Sequence, residues 1–292
     1  MKVTHVPVML DEVLENMNIK KNGIYIDATV GLGGHSRGIL DKANECVLIG
    51  IDRDDAALER SQEYFKDDDN VSLIRDSFSN IASVASKLGY KKVDGILLDL
   101  GVSTLHLKSD DRGFSFMSDE ALDMRMDRRQ KLTAKEIINK YSEKDLANII
   151  WEYGEEGRSR RIARAIVWSR QRKPVHSCSD LAAIIEKSIG RRGRIHPATR
   201  TFQALRIVVN KELNELSSVL ESGAGILEKQ GRLCVISYHS LEDRIVKNAF
   251  KKLAKEGLFR IITKKPLTPS QEEKKFNPSS RSAKFRVVER LT

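Results

Sequence analysis

Four short apolar runs recur along the first hundred residues, and each of them ends in an aspartate. The runs occupy residues 24–27, 47–52, 71–76 and 96–99, and their last residues are Asp27, Asp52, Asp76 and Asp99. The aspartates follow one another at steps of 25, 24 and 23 residues, which suits a strand, a loop, a helix and a second loop. The runs are continuously apolar, as expected of strands buried on both faces. The pattern therefore predicts a parallel sheet of βα units.

Helical patterns fill the intervals between these runs and then dominate the middle of the chain. The intervals at residues 35–43, 55–66 and 78–88 are compatible with helices. Beyond Asp99, helical patterns rich in Arg and Lys extend from about Thr133 to Glu221, without a comparable strand-like run. The sheet is therefore expected to be interrupted by a helical insert.

The strand signature returns at residues 233–237. Two later candidates, residues 259–263 and 285–289, are predicted to pair antiparallel across a polar loop. That loop, residues 264–284, holds three prolines and many charges, so we expect it to be exposed and mobile. We place a discontinuous sheet domain at residues 1–111 and 214–292 and the insert at residues 112–213.

The composition is that of a water-soluble globular protein. Of the 292 residues, 40% are hydrophobic and 32% are charged, and no apolar run approaches the roughly 20 residues that span a membrane. The first residues lack the apolar segment and cleavage site of a secretion signal, so we expect a cytoplasmic protein. The three cysteines and six histidines are scattered, which indicates neither a disulfide framework nor a metal site.

The net charge of +10 is concentrated in the insert. Residues 112–213 contain 22 basic and 13 acidic residues, and residues 157–206 contain 13 basic and 2 acidic residues. Most of the basic residues are arginines, which bind phosphate through two parallel hydrogen bonds. A solvated helix face would normally mix the two signs, so the imbalance favours a nucleic-acid partner.

A glycine-rich turn lies between the first predicted strand and its helix. It is formed by residues 27–36 and includes Gly31, Gly33 and Gly34, while Asp52 ends the next strand. Glycines let the backbone approach a ligand, and an acid at this place can accept hydrogen bonds from ribose hydroxyls. The combination indicates a cofactor that contains a nucleoside; the alternative is a tight turn in which Asp52 serves only as a cap.

Details of this turn decide between cofactors. A dinucleotide fingerprint starting at Gly31 would need glycine at position 36, where Ser36 stands, so NAD is the second choice. Asp76 and Phe78 could offer a polar group and an aromatic face to an adenine, and Asp99 ends the fourth strand near the expected reaction centre. This arrangement favours S-adenosylmethionine, although Phe78 alone would more often be an ordinary core aromatic.

The cysteines narrow the chemistry further. Methylation of carbon 5 of a pyrimidine requires a thiolate nucleophile, and no cysteine lies near the end of the fourth strand. Direct transfer to a nitrogen or an oxygen is therefore favoured, and these residues leave the acceptor atom open.

Several long strings resemble one family, the bacterial 16S ribosomal RNA (cytosine-N4)-methyltransferases. The strings cover most of the chain and are HVPVML at 5–10, DATVGLGGHS at 27–36, DLGVS at 99–103, RGFSF at 112–116, LDMRMD at 122–127, HPATRTFQALR at 196–206, ISYHSLEDR at 236–244 and RSAK at 281–284. The resemblance implies a Rossmann-like class I methyltransferase sheet with an inserted all-helical domain that recognises the substrate. It also implies methylation of the exocyclic N4 of a decoding-centre cytidine, cytidine 1402, in the 16S rRNA of the small ribosomal subunit.

Carried over by position, the resemblance implies a set of residues that bind S-adenosylmethionine. The set is Gly33, Gly34, His35, Asp52, Phe78 and Asp99, with a further contact at His106 in the loop after Ser103; the glycine-rich turn itself adds Gly31 as a candidate. The family usually has glutamine where this chain has His106, and an imidazole can still donate one hydrogen bond there.

The candidate catalytic residues are Asp99, His239 and Ser240. Exocyclic N4 is a weak nucleophile, so a group that accepts its amino hydrogen bond should help to position it. Asp99 is the leading acceptor, but it could equally anchor the methionine amino group. His239 and Ser240 could face the far wall of the pocket, although a structural hydrogen bond is the more frequent role of a histidine after a strand.

The candidate RNA-binding residues are Arg158, Arg161, Arg191, Arg192, Arg194, Phe114 and Phe116. The two phenylalanines could stack on an extruded base or could close the junction between domain and insert. Two other functions stay open from the residues alone: an NAD-dependent oxidoreductase, and a non-catalytic RNA-binding factor of ribosome assembly. The sequence leaves open whether the protein is a monomer or a homodimer.

Overall fold

The protein is described by a computed structural model that covers residues 6–43, 45–101, 112–191, 193 and 195–292. The chain forms two compact units. One comprises Met1–Gly101 and Leu213–Thr292, and the other comprises Val102–Glu212. We call them the sheet unit and the helical unit. No helix within the described ranges is long and apolar enough to cross a membrane.

The described residues of the sheet unit form one sheet of seven strands. They are β1 (Ile24–Asp27), β2 (Val47–Asp52), β3 (Val71–Arg75), β4 (Val93–Asp99), β5 (Leu227–Ser237), β6 (Phe259–Ile261) and β7 (Lys284–Arg290). Their order is β3-β2-β1-β4-β5-β7-β6. Strands β1 to β5 are parallel, and β7 runs antiparallel to both β5 and β6. The predicted α/β fold with a parallel sheet and an antiparallel β6–β7 pair is confirmed.

The order of the strands alone predicts where a ligand binds on the sheet. The chain builds outward from β1 to β2 and β3, and then crosses back to place β4 on the other side of β1. In open α/β sheets, ligands bind outside the carboxyl ends of the strands at such a reversal. The aspartates that end β1, β2 and β4 therefore lie at the expected place.

Helices of the sheet unit cover both faces of the sheet. They are α1 (Leu10–Asn16), α2 (Gly34–Lys42), α3 (Asp55–Tyr64), α4 (Ile81–Lys87), α10 (Glu212–Ile226), α11 (Ser240–Lys255) and α12 (Gln271–Phe276). One face of the sheet, with Ile26 and Ile49, packs in a core that includes Leu220 of α10. The other face, with Tyr25 and Leu48, packs in a second core. This double burial explains why β1, β2 and β4 are mainly apolar along their length.

The helical unit has a hydrophobic core of its own. Within its described residues the helices are α5 (Ala134–Lys140), α6 (Glu143–Gly154), α7 (Ser159–Arg170), α8 (Cys178–Ile189) and α9 (Thr199–Asn210). Side chains from each of these helices contribute to one buried cluster. Reciprocal capping boxes begin two of these helices, at Thr133 with Glu136 and at Ser177 with Asp180, which fixes where each helix starts.

The segment between β6 and β7 differs from its prediction. The sequence predicts an exposed and mobile loop at residues 264–284; most of these residues are exposed, but the segment contains α12 and a short 3-10 helix, Pro278–Ser282, instead of a simple loop. Glu273 Oε1 accepts a hydrogen bond of 2.8 Å from the Met9 backbone nitrogen, and Ser280 is buried. The bond to Met9 gives this polar segment a partner in the N-terminal segment, which a local sequence pattern does not reveal.

Candidate active site

The glycine-rich turn after β1 is held by two buried polar residues. Asp27 is almost completely buried, and it accepts hydrogen bonds from the Ser36 hydroxyl at 2.7 Å and from the Thr29 nitrogen at 3.2 Å. Burial raises the pKa of the Asp27 carboxyl above its ordinary value. Asp27 therefore serves to fix the shape of the turn.

Two glycines in this turn have backbone angles that other residues rarely adopt. Gly31 has φ 53° and Gly33 has φ 80°. A Cβ at Gly33 would lie 2.4 Å from Phe65, whereas a Cβ at Gly31 would have only the Thr29 carbonyl oxygen nearby, at 3.8 Å. Gly33 is thus required for packing, and Gly31 leaves open space in front of the backbone.

The neighbouring Gly34 and His35 contact the N-terminal segment. A Cβ at Gly34 would lie 2.5 Å from Pro7. His35 is buried, and its Nε2 lies 2.9 Å from the Val8 carbonyl oxygen. Because a carbonyl only accepts, His35 Nε2 carries a hydrogen and donates it. Both residues therefore have packing roles beside the turn.

Asp52 is joined directly to the glycine-rich turn. Its Oδ2 accepts a hydrogen bond of 3.0 Å from the Gly31 nitrogen, and its Oδ1 accepts one of 3.0 Å from the Asp54 nitrogen. The two features that the sequence singled out for a nucleoside are thus in contact. A carboxylate at the end of this strand is the kind of group that accepts hydrogen bonds from ribose hydroxyls.

Asp99 lies at the carboxyl end of β4, next to β1. Its Oδ1 accepts hydrogen bonds from the Tyr238 hydroxyl at 2.8 Å and from the Gly101 nitrogen at 3.2 Å. Its Oδ2 lies 3.8 Å from His35 Nδ1. The Asp99 backbone nitrogen donates to Thr29 Oγ1 at 2.7 Å, which ties β4 to the turn after β1. The structure therefore brings Asp99, His35 and the glycine-rich turn together.

Tyr238 was not singled out from the sequence, although it follows the last residue of β5. Burial and the nearby Asp99 carboxylate raise the pKa of Tyr238 well above its ordinary value. The phenol therefore keeps its proton and remains a hydrogen-bond donor to Asp99. A Cβ at Gly101 would lie 2.9 Å from the tyrosine ring, so glycine at that position lets the ring approach. The adjacency of β4 and β5 is the signal that could have identified it.

Phe78 and Asp76 have internal partners. Phe78 is buried within one core of the sheet unit, and the Arg53 guanidinium lies 5.3 Å from its ring centroid. Arg53 also approaches Glu215 of α10, at 3.8 Å. Asp76 Oδ1 accepts a hydrogen bond of 2.7 Å from Asn80 Nδ2. The core-aromatic interpretation of Phe78 thus has direct structural support, and its stacking on adenine stays a prediction.

His239 and Ser240 lie at the start of α11. His239 caps this helix, since its Nδ1 accepts a hydrogen bond of 3.3 Å from the Glu242 nitrogen. Its Nε2 lies 3.1 Å from Glu242 Oε1. Ser240 is the exposed first residue of the helix. Neither of them is among the described residues that hydrogen-bond to Asp99, so their catalytic role is a prediction with a structural alternative.

In the helical unit, the two candidate stacking residues already have aromatic or apolar neighbours. Phe114 is a buried member of the core. Phe116 stacks on His196 with ring centroids 4.5 Å apart and meets Phe202 edge-on at 5.8 Å. These contacts occupy ring surface that a base would need.

The candidate arginines differ in their surroundings. Arg158 Nη1 donates to the Ile189 carbonyl oxygen at 3.0 Å, and its Nε lies 3.3 Å from buried Glu156. Arg191 is exposed and pairs with Glu186 at 3.3 Å. Arg161 is exposed and has no side-chain hydrogen bond or ion pair with the described part of the chain. His106, Arg192 and Arg194 lie outside the described residues.

Other arginines of the helical unit also serve its folding. Arg170 donates to the carbonyl oxygens of Ile138 and Tyr141, both at 2.5 Å. Arg206 forms two parallel hydrogen bonds with Glu212, the shorter at 2.8 Å. The charge count therefore overstates how many cations are available to RNA.

The whole chain is similar to a family of methylases and to proteins named for ribosomal RNA methylation. A model of the MraW methylase family matches residues 2–291. A protein of Clostridium botulinum (strain Kyoto / Type A2) named "Ribosomal RNA small subunit methyltransferase H" is 46% identical, with 100% of both chains covered. A protein of the same name from Sulfurihydrogenibium sp. (strain YO3AOP1) is 49% identical, over 99% of this chain and 100% of that protein. A solved rRNA methylase from Streptococcus thermophilus has a TM-score of 0.45 at 12% identity, over 97% of this chain and 94% of that chain. At that similarity nothing about function follows from the solved structure.

Proposed function

Because this chain belongs to the MraW methylase family, we propose that it methylates the exocyclic N4 of cytidine 1402 in 16S rRNA. The family confirms the expectation of an S-adenosylmethionine-dependent rRNA methyltransferase. The choice of N4 and of this cytidine is our proposal, which the resemblance of the sequence motifs supports. We further propose that the substrate is presented within the small ribosomal subunit, in the cytoplasm.

The turn after β1 and the end of β2 fit the nucleoside part of the cofactor. The open space in front of Gly31 allows a ligand to approach the backbone, and Asp52 lies beside this turn at the end of β2, where a carboxylate can bind ribose hydroxyls. S-adenosylmethionine supplies, when bound, an electrophilic methyl group on a sulfonium. Gly31 and Asp52 would hold its nucleoside, while Gly33, Gly34 and His35 keep the turn in shape.

The proposal that Asp99 accepts the amino hydrogen bond of the substrate rests on the geometry of its carboxylate. Its Oδ1 accepts hydrogen bonds from the Tyr238 hydroxyl and the Gly101 nitrogen, while Oδ2 accepts no hydrogen bond from the described residues and lies 3.8 Å from His35 Nδ1. Oδ2 can therefore accept a hydrogen bond from the amino group of cytosine, which would hold N4 in line with the methyl group. The alternative, that Oδ2 holds the methionine amino group, uses the same oxygen.

The helical unit supports the choice of an RNA substrate. It holds 22 basic and 13 acidic residues within residues 112–213, and exposed arginines such as Arg161 and Arg191 remain at its surface. Their charge would bind the phosphate backbone. Recognition of RNA by this unit is part of the proposal.

The proposal is tested by methyl transfer to small ribosomal subunits that lack the modification. We expect label from S-adenosylmethionine to enter the 16S rRNA and to be recovered, after digestion to nucleosides, as N4-methylcytidine at the decoding centre. Label recovered in another nucleoside, or at carbon 5 of cytidine, would overturn the N4 assignment. Binding of the particle without any transfer would instead favour a non-catalytic assembly factor.

A further inference from the structure

Both tryptophans of the chain lie at the surface of the helical unit. Trp151 on α6 is 62% exposed, and Trp168 on α7 is 54% exposed. Indole is one of the largest apolar side chains, and highly exposed examples are unusual in a folded domain. An exposed indole is informative when the surface around it has a definite chemistry, and the two tryptophans differ in this respect.

The exposed side of α7 combines Trp168 with arginines only. At 100° per residue, the exposed positions lie opposite the buried residues Ile162, Ala163 and Ile166. The helix contains no acidic residue. We call this surface the α7 face; it consists of Arg160, Arg161, Arg164, Trp168 and Arg172.

Arg172, just after the end of α7, holds the indole in place. Its guanidinium carbon lies 3.5 Å from the centroid of the Trp168 ring, which is a close cation–π stack. The guanidinium covers one face of the ring. Trp168 nevertheless exposes 54% of its surface, so much of the indole beyond the guanidinium is accessible to solvent. We call this accessible part of the ring its open side.

The charges of the α7 face are mostly available. Arg160 and Arg161 have no side-chain hydrogen bond or ion pair with the residues that the structure describes. Arg164 lies 3.6 Å from Glu143 of α6, and both side chains are exposed. Exposed pairs of this kind are weak, so a phosphate can replace the carboxylate.

Trp151 provides the internal contrast. It is even more exposed, but its helix, α6, carries the exposed acids Glu143, Asp145 and Glu152. Such a surface repels phosphate, so exposure alone does not make this tryptophan a nucleic-acid contact.

We propose that the α7 face binds an unpaired stretch of the RNA substrate, with one base stacked on the open side of Trp168 and phosphates held by the flanking arginines. In duplex RNA the bases are already stacked on one another, whereas an unpaired base can stack on an aromatic ring. The excess of positive charge on this face selects an anionic partner. This inference rests on the proposed action on RNA and adds the strand state and the residue that stacks.

The two tryptophans also supply the measurement. In the full-length Trp151→Phe protein, Trp168 is the remaining indole, so its fluorescence reports this site alone. The probes are a short unpaired RNA oligonucleotide and the same RNA annealed to its complement. We expect the unpaired RNA to quench Trp168 and the duplex to leave it nearly unchanged.

Affinity for the unpaired RNA is then measured by filter binding with three variants. Trp168→Ala should weaken it by about 5-fold to 150-fold, as expected for the loss of one base stack. Trp168→Phe, which keeps an aromatic ring, should recover most of the affinity. The matched control, Trp151→Ala, should bind like the unaltered protein.

Unchanged Trp168 fluorescence at saturating unpaired RNA, or equal losses for Trp168→Ala and Trp151→Ala, would overturn the inference. Equal quenching by the duplex would also overturn it. Methyl transfer by the unaltered protein is measured separately. Transfer without quenching would overturn the role of the α7 face and leave the proposed function intact. Quenching without transfer would support RNA binding by the α7 face and overturn the proposed methylation.

Discussion

The hydroxyl of Tyr238, at the end of β5, donates a 2.8 Å hydrogen bond to Oδ1 of Asp99, at the end of the neighbouring β4. With the Gly101 nitrogen it satisfies one oxygen of the carboxylate and leaves the other as the available acceptor. Tyr238 therefore acts as a positioning residue for Asp99. It fixes the direction of the carboxylate that we propose receives the amino group of the substrate.

Tyr238→Phe should remove this constraint while retaining the ring. We expect kcat to fall by about tenfold, with a smaller change in the Kd for S-adenosylmethionine, because one charged hydrogen bond is worth about 1.5–3 kcal/mol. Steady-state kinetics and calorimetric titration measure the two effects. An unchanged kcat would show that Asp99 needs no positioning by the phenol.

Asp99→Asn tests the acceptor directly. If Oδ2 receives the N4 hydrogen, turnover should fall while cofactor affinity changes less, since the interaction is made in the reaction and not in the binary complex. Rates at saturating substrate are compared with binding of the cofactor to the free protein. Equal losses in both would assign Asp99 to the methionine amino group, and full activity would remove it from the site.

Asp52→Ala should weaken binding of S-adenosylmethionine by about 2–3 kcal/mol, because it deletes charge-assisted hydrogen bonds. It also removes the acceptor of the Gly31 and Asp54 nitrogens, so the unfolding free energy should decrease. Calorimetric titration at a temperature where the variant is folded separates the two effects. Affinity equal to that of the unaltered protein would place the cofactor elsewhere.

Arg158→Glu and Arg161→Glu form a matched pair, since each reverses one charge on the helical unit. Arg158→Glu loses the bond to Ile189 and places a second acid against buried Glu156, so unfolding free energy should fall by about 2–3 kcal/mol. Arg161→Glu should change the unfolding free energy by no more than about 0.5 kcal/mol.

Arg161→Glu should, however, reduce the slope of log affinity for RNA against log salt concentration by about 0.7–0.9. Chemical denaturation and salt titrations measure these changes; an unaltered slope for Arg161→Glu would make that residue mere solvated surface.

Asp243 gives a pH dependence with a definite sign. Burial alone would raise the pKa of this carboxyl, but hydrogen bonds and charge from Arg286 and Lys284 outweigh burial and hold the pKa below its ordinary value. Its contribution to stability is therefore present above the unfolded pKa and is lost as pH falls through the lower, folded pKa. Asp243→Asn should cost about 3–5 kcal/mol near neutral pH, because it leaves buried Arg286 without its carboxylate. Denaturation curves for both proteins should converge as the solution is acidified, and a constant difference would exclude this linkage.

The first four strands were predictable because each is mainly apolar and ends in, or is followed directly by, an aspartate. The family resemblance was also confirmed, since it rests on long strings that span the chain. By contrast, α11 was not predicted: it buries only Glu242, Val246 and Phe250 among many charged residues. The hydrogen bond from the Glu242 nitrogen to His239 Nδ1, which caps this helix, forms only once the backbone is folded, so the sequence alone does not reveal it.

The roles of single polar residues were least predictable, since their partners are distant in the chain. Arg158 looked like an RNA contact in a basic stretch, but it donates to Ile189, 31 residues away. Tyr238 and Asp99 are 139 residues apart and meet only because β4 and β5 are neighbours. Composition supplies the average charge of a region, and the fold decides which charges remain available.

The pairing of β4 with β5 also has a consequence for how the chain folds during its synthesis. Strand β4 ends at Asp99 and its parallel partner β5 begins at Leu227, with the whole helical unit between them. During translation β1 to β4 therefore emerge first, and β4 presents an unpaired edge until the rest of the sheet arrives. The helical unit, which has its own core, is completed during this interval. A nascent chain stopped before Leu227 consequently displays an apolar parallel edge, the kind of surface that recruits chaperones or other unfinished chains.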